Sequence, residues 1–270
     1  MEIQDKVAVI TGASSGIGEA VCHELGNRGV KAIALVDMNE HVKEVAAEVE
    51  KESGVKAIPF VGDTTDSAFR KSVFDTMIAD HGIPSIVVPA AGITRDRLAI
   101  RVDKETGKAD IYSEEHFRLV LDVNLMAPVY WGLEMVARIA EDRAAKGLKR
   151  WNPDEGISGS VIFIGSISSQ GNKGQISYSA TKAGIEGAAS TLTAEGMFYG
   201  IRAGVIHPGF TDTAMVRAMG DEYIENNVIP MTQLRRLIRP QEIADAICFL
   251  LSNSAVTGEL WADAGWHPTP

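Results

Sequence analysis

Cysteine is nearly absent. The 270 residues carry two, Cys22 and Cys248, and neither belongs to a CxxC pair. A disulfide scaffold is therefore excluded, and two isolated thiols in helical stretches suit a reducing compartment. Positive charge is also scarce: 26 Lys and Arg stand against 36 Asp and Glu, a formal net charge of −10. A chain of that sign lacks the basic face that binds duplex nucleic acid or an anionic membrane, so neither is an expected partner. No apolar run approaches the ~20 residues of a membrane span. Met1–Lys6 has neither the basic start nor the apolar stretch of a secretory leader. The six histidines form no HExxH and no Cys/His/Asp cluster at ligand spacing, so no metal site is expected. Internal repeats, low-complexity tracts and long linkers are missing too. What remains is a cytoplasmic globular protein of one domain over 1–270. Its composition, 45% hydrophobic and 23% charged, provides for a sizeable core.

Short apolar runs alternate with amphipathic stretches along the chain. The runs are Val7–Ile10, Ala32–Val36, Val55–Val61, Ile86–Val88, Val161–Ile164 and Val205–Ile206. They are too short for helices and too continuous for a half-wet sheet, which predicts parallel strands buried on both faces. Between them, Val42, Val45, Ala46 and Val49 follow helical spacing, as do Phe69, Val73 and Met77, and later Ile243, Ala244, Ile247 and Leu251. The expected fold class is α/β: a single-domain Rossmann-type doubly wound parallel sheet with helices on both faces. Two segments break the rhythm. Arg97–Tyr112 reads as a small hairpin arm ahead of a helix capped by Ser113, and Glu141–Gly159 reads as a polar surface loop.

The strand at Val7 runs into Thr11-Gly12-Ala-Ser14-Ser15-Gly16-Ile17-Gly18 and then into a helix. Glycines there allow a tight turn and a close backbone approach, and the helix start offers free N–H groups to a pyrophosphate. Asp37 closes the second apolar run, 19 residues after Gly18. A carboxylate in that place accepts hydrogen bonds from an adenosine ribose and repels a 2′-phosphate, which favours NAD over NADP. Tyr178 and Lys182 are spaced i, i+4, so on a helix they share a face. Bringing a phenol from ~10 to ~7 needs about 4 kcal/mol of differential interaction, and a nearby ammonium is one source of it. Ser166 follows the fifth run. Asp63, Ala91-Gly92 and Pro208-Gly209 mark other strand ends, where ligands of open α/β sheets bind. Asn124 lies within a long helical stretch, where an Asn is either exposed or marks a local kink. His207 reads as a strand-end packing residue, and Arg235, Arg236 and Arg239 as a solvated basic cluster.

The glycine motif Thr11–Gly18, Asn124, Ser166, Tyr178 and Lys182 resemble, in order, the short-chain dehydrogenase/reductase family, over about residues 5 to 265. Gly92-Ile-Thr-Arg-Asp96, Pro208-Gly-Phe210 with Thr213, Leu237–Ile243 and Thr257-Gly-Glu259 look like its β-ketoacyl reductase branch. Three departures stand out. Pro89-Ala-Ala-Gly92 replaces the Asn-Asn-Ala-Gly often seen, Ser166 is 12 positions before Tyr178, and Tyr199 stands where carrier-protein readers carry a basic residue.

The resemblance implies Tyr178 as general acid/base, with Lys182 lowering its pKa and holding the nicotinamide ribose. Ser166 would hold the reacting oxygen, and Asn124 a water linking Lys182 to solvent. It also places Gly12, Ser14, Ser15, Gly16, Ile17, Gly18, Asp37, Asp63, Thr64, Ala91, Gly92, Pro208, Gly209, Thr211 and Thr213 against the cofactor. The stretch 210–231 would be a substrate lid, with Met215, Val216, Met219, Tyr223 and Ile224 as an apolar wall. A homo-oligomer, tetramer or dimer, is implied as well. Three readings follow: an NAD-dependent oxidoreductase of secondary alcohols and ketones, a 3-oxoacyl-thioester reductase, and a non-catalytic NAD-sensing or scaffold protein.

Overall fold

A computed structural model describes residues 1–266. Its centre is a seven-stranded parallel sheet in the order β3-β2-β1-β4-β7-β8-β9. The strands are β1 (Val7–Thr11), β2 (Ala32–Asp37), β3 (Lys56–Val61), β4 (Ile86–Pro89), β7 (Gly159–Ile164), β8 (Ile201–Pro208) and β9 (Gly258–Ala262). Helices α1 (Gly16–Asn27), α2 (Val42–Ser53) and α9 (Pro240–Ser252) cover one face, and α3 (Ser67–Asp80), α5 (Ala127–Ala145) and α6 (Ile176–Gly196) the other.

Strand alternation produces both cores. Ala8 and Ile10 of β1 join Ile33 and Leu35 beneath α1, α2 and α9. Val7 and Val9 join Ala32, Ala34 and Val36 against Phe74, Met77, Trp131 and Ile185. A strand buried on both faces favours apolar residues at successive positions, which accounts for the apolar runs. Cys22 and Cys248 are free and buried in the first core. Pro59 sits in the middle of β3, paired with Leu35. Proline removes a ladder donor there, and the strand lies at the sheet edge, where that is tolerated.

The arm takes the expected hairpin form, with β5 (Ile100–Val102) antiparallel to β6 (Ala109–Ile111). The Tyr112 hydroxyl donates to the Arg95 carbonyl at 2.7 Å and lies 2.8 Å from Ser177 Oγ, which ties the arm to α6. Ser113 caps α4 (Glu114–Leu121), its hydroxyl accepting from the His116 amide. The helical run 114–145 is long and apolar enough to cross a membrane by length and composition. Here it lays Trp131, Met135 and Ile139 in the second core.

The ends and middle of the expected loop 141–159 are regular structure, and the rest remains loop. Helix α5 continues to Ala145, a 3-10 turn forms at Pro153–Glu155, and Gly159 already belongs to β7. Arg143 explains the difference: it is buried one turn beyond Ile139 and donates to Glu155 at 2.6 Å. Charges that look solvated in sequence pair with each other instead. The seventh strand, β9, was not among the predicted runs. Its sequence Gly-Glu-Leu-Trp-Ala is only partly buried at the sheet edge, so it carries no continuous apolar signal.

Candidate active site

The carboxyl ends of β1, β2 and β4 and the residues after β3, together with α6, enclose a cleft of about 450 Å³. Its wall includes Gly12, Ser14, Ser15, Gly16, Ile17, Gly18, Asp37, Asp63, Thr64, Ala91, Gly92, Tyr178, Lys182 and Thr213. Sequence reasoning did not single out Asn39, Ile93 or Val123, which also line it.

The glycine turn is built by close approach. Gly12 has φ +66°, and a Cβ there would lie 2.7 Å from the Ala91 amide nitrogen. A Cβ on Gly18 would lie 2.1 Å from the Gly12 carbonyl oxygen. Ser15 precedes α1 in extended conformation and makes no side-chain cap, so no side-chain oxygen occupies the amides of the first turn. An uncapped helix start behind a turn that admits only glycine fits a pyrophosphate. Asp37 steadies this turn from β2: Oδ2 accepts from the Ser14 amide at 3.1 Å and Oδ1 from the Asn39 amide at 2.9 Å. Asp63 Oδ1 accepts from the Thr65 amide and hydroxyl, both at 2.8 Å. The Thr64 carbonyl takes the buried Trp131 indole N–H at 2.9 Å.

Asn124 is fully buried inside a π-helical turn, Asp122–Met126, between α4 and α5. The local kink is the alternative realised. Its amide clasps the cleft-lining Ile93 backbone at both ends, Oδ1 accepting at 2.9 Å and Nδ2 donating at 2.8 Å. The side chain thereby positions the strand-end loop that lines the cleft. Ser166 caps the turn Ile167–Gln170, accepting from the Ser168 amide at 3.0 Å. Its hydroxyl lies near enough to Tyr178 to draw the phenol pKa down. Lys182 Nζ lies 5.5 Å from the Tyr178 ring centre and donates to the Ile164 carbonyl at 2.8 Å.

Burial raises the Tyr178 phenol above its ordinary range, the Ser166 hydroxyl opposes this, and the Asp96 carboxylate adds to it. Burial lowers Lys182 itself from 10.5 to about 8. A lysine depressed in the fold binds fewer protons there than in the unfolded chain between those values. Stability therefore rises with pH from about 8 towards 10.5. Urea unfolding across this window is expected to show a steeper rise for the native chain than for Lys182→Met. Equal slopes would refute the buried-ammonium assignment.

Pro208, Gly209 and Thr211 do not reach the cleft wall. Gly209 abuts Asp263, where a Cβ would meet backbone at 2.8 Å, and buried Thr211 donates to the Gly209 carbonyl at 3.1 Å. Of the expected apolar wall, only Met215 lines the cleft. Ile224 and Val216 pack in a small separate core with Val228 and Leu237, while Met219 and Tyr223 are exposed. The basic cluster is partly spent on Glu242 in the first turn of α9, which Arg236 grips through two 2.7 Å bonds.

Comparison with known proteins agrees with this arrangement. Residues 6–224 match the short chain dehydrogenase family. The chain is 31% identical over 262 residues to the 3-oxoacyl acyl-carrier-protein reductase FabG of Escherichia coli K12, covering 96% of each chain. It is 33% identical over 275 residues to the acetoacetyl-CoA reductase of Synechocystis, covering 99% of this chain and 98% of that one. A short-chain type dehydrogenase/reductase of Mycobacterium marinum superposes with a TM-score of 0.83 at 23% identity, covering 99% and 98%, and shares the fold. The chain therefore belongs to the short-chain dehydrogenase/reductase family of oxidoreductases, close to its 3-oxoacyl reductase branch.

Proposed function

We propose that the chain transfers hydride between NAD(H) and a secondary alcohol or its ketone, with Tyr178 as general acid/base. The observation that carries the reading is the Lys182 ammonium 5.5 Å from the Tyr178 ring, both residues on the wall of a cleft that begins at an uncapped helix start. When bound, the nicotinamide cofactor supplies the hydride chemistry. Gly12–Gly18 and the first amides of α1 hold its phosphates, and Lys182 holds the nicotinamide ribose. Ser166 fixes the substrate oxygen beside Tyr178. In carbonyl reduction the Tyr178 hydroxyl donates its proton to that oxygen, and in alcohol oxidation the phenolate removes it. Four intact chemical types, Asn124, Ser166, Tyr178 and Lys182, speak against a sensor or scaffold.

NAD is favoured at the adenosine end. The carboxylates Asp37 and Asp63 line that end, and among the described residues Lys182, beside Tyr178, is the one Lys or Arg lining the cleft. Like charges a few ångströms apart repel by about 4 kcal/mol at a protein surface. Asp37→Ser is accordingly expected to move the NAD/NADP ratio of kcat/KM about 100-fold towards NADP, a conservative share of that repulsion. An unchanged ratio would exclude Asp37 as the discriminator.

A second reading, reduction of a 3-oxoacyl thioester, is favoured by what the two named relatives are called. Turnover of the purified chain on secondary alcohols, ketones and 3-ketoacyl thioesters, with NAD(H) and NADP(H) in parallel, separates the readings. Self-association belongs to the same proposal. Leu119, Met126, Tyr130 and Leu133 are exposed at helical spacing along 114–145, an apolar stripe suited to a tetramer or dimer. Two buried free thiols suit a cytoplasmic setting.

A further inference from the structure

Beside the Ser166 turn, and off the cleft wall, side chains from three elements converge. His207 of β8 is fully buried and stacks on Trp261, with ring centres 4.1 Å apart. Its Nδ1 lies 3.2 Å from the Ser166 amide nitrogen and 3.1 Å from the Ser166 carbonyl oxygen. Its other ring nitrogen, Nε2, is buried without a hydrogen-bond partner. That atom faces two carboxylates, Glu259 Oε2 of β9 at 3.4 Å and Glu186 Oε1 of α6 at 3.8 Å. All three donor atoms lie within 4.8 Å of one another.

We propose that Glu186, His207 and Glu259 bind one divalent cation of borderline hardness, of the zinc class. Zinc bonds of about 2.0–2.2 Å in tetrahedral geometry set ligand atoms roughly 3.4 Å apart, close to the 3.4 and 3.8 Å found here. Two carboxylates around one unpartnered imidazole nitrogen are mutually repulsive until a cation lies between them. A mixed imidazole and carboxylate set without thiolate suits zinc over magnesium or calcium, which keep to oxygen. Glu259 is partly exposed at the sheet edge, which gives the ion an entry and a solvent-facing fourth position. The three residues are 21 and 52 positions apart, so no local spacing could announce them. Coordination through Nε2 requires the ring proton on Nδ1, which then donates to the Ser166 carbonyl. Metal-bound histidines commonly hold their second nitrogen in this way. The ion would thus select one of the two contacts His207 makes with Ser166.

The test uses the full chain, stripped with chelator and titrated calorimetrically with zinc chloride. One Zn2+ per chain is expected, with a change in Trp261 emission, and Co2+ in its place should give the visible band of a four-coordinate centre. Glu186→Gln/Glu259→Gln should weaken Zn2+ binding at least about 100-fold, since losing an outer partner alone costs about 10–100-fold. Glu259→Gln alone, at the exposed edge, repeats the test with less risk to folding, and circular dichroism checks both variants. Absence of stoichiometric binding, equal binding by the folded double variant, or preference for Mg2+ over Zn2+ would each overturn the proposal.

Discussion

Replacing Tyr178 with Phe is expected to lower kcat by about 10²–10⁴-fold, the span of general acid–base catalysis. The ring that lies 5.5 Å from Lys182 Nζ remains, as do the glycine turn and Asp37, so cofactor affinity should be nearly unchanged. That split is the diagnostic: chemistry is lost and binding kept. Single-turnover reduction followed by nicotinamide absorbance, beside equilibrium titration of NADH, measures both. A variant within tenfold of the native rate would remove Tyr178 from the reaction. The direction of its pKa adds a second readout. Burial outweighs the effect of the Ser166 hydroxyl and keeps the phenol protonated at neutral pH in the free chain. Carbonyl reduction, which needs the acid, should therefore persist at neutral pH, while alcohol oxidation should climb as pH rises. Both limbs should vanish in the Phe variant.

The second large effect concerns a single methyl group. Gly18→Ala places a Cβ 2.1 Å from the Gly12 carbonyl oxygen, and the obstacle is backbone, which has no rotamer to yield. Overpacking costs typically 1–3 kcal/mol and occasionally more. A backbone clash belongs at the upper end, about 3 kcal/mol, which lowers Tm by about 6–12 °C for a chain of this size. Relief by moving α1 away would also retract its first amides, so NADH affinity should fall together with stability. Thermal unfolding and NADH titration of the same sample test this. Alanine tolerated in both would mean that the turn is looser than its backbone contacts indicate.

How much of this could be read beforehand depends on where each partner lies in the chain. Five of the six apolar runs were legible because their strands are buried on both faces and filled mostly by apolar residues; β3, at the sheet edge, is only partly buried and kept an apolar run all the same. Strand β9 was not legible, since its residues are exposed or only partly buried. The glycine turn and Asp37 were visible because turn, strand and carboxylate sit at fixed local spacing. The clasp of Asn124 on Ile93 was not, because its partner is a backbone 31 residues away, brought near by a π-helical turn. The same holds for His207. A histidine at a strand end looks like packing until the neighbouring strand sets the Ser166 backbone against one side of its ring and two carboxylates against the other. Met215 was separable from its apolar neighbours only once the fold sent Ile224 and Val216 into their own small core.

Strand order also has a bearing on synthesis. On a ribosome, β1, β2 and β3 emerge first, but the second neighbour of β1 is β4, whose residues begin 75 positions after Thr11. At about 5–20 residues per second the free side of β1 waits roughly 4–15 s. The finished outer edge carries Lys56 and Pro59, both of which discourage strand addition. The waiting edge, Val-Ala-Val-Ile-Thr, carries neither a charge nor a proline. The nascent half-sheet is therefore most prone to wrong pairing along its eventual centre, and chaperone demand should peak before residue 86 has left the exit tunnel.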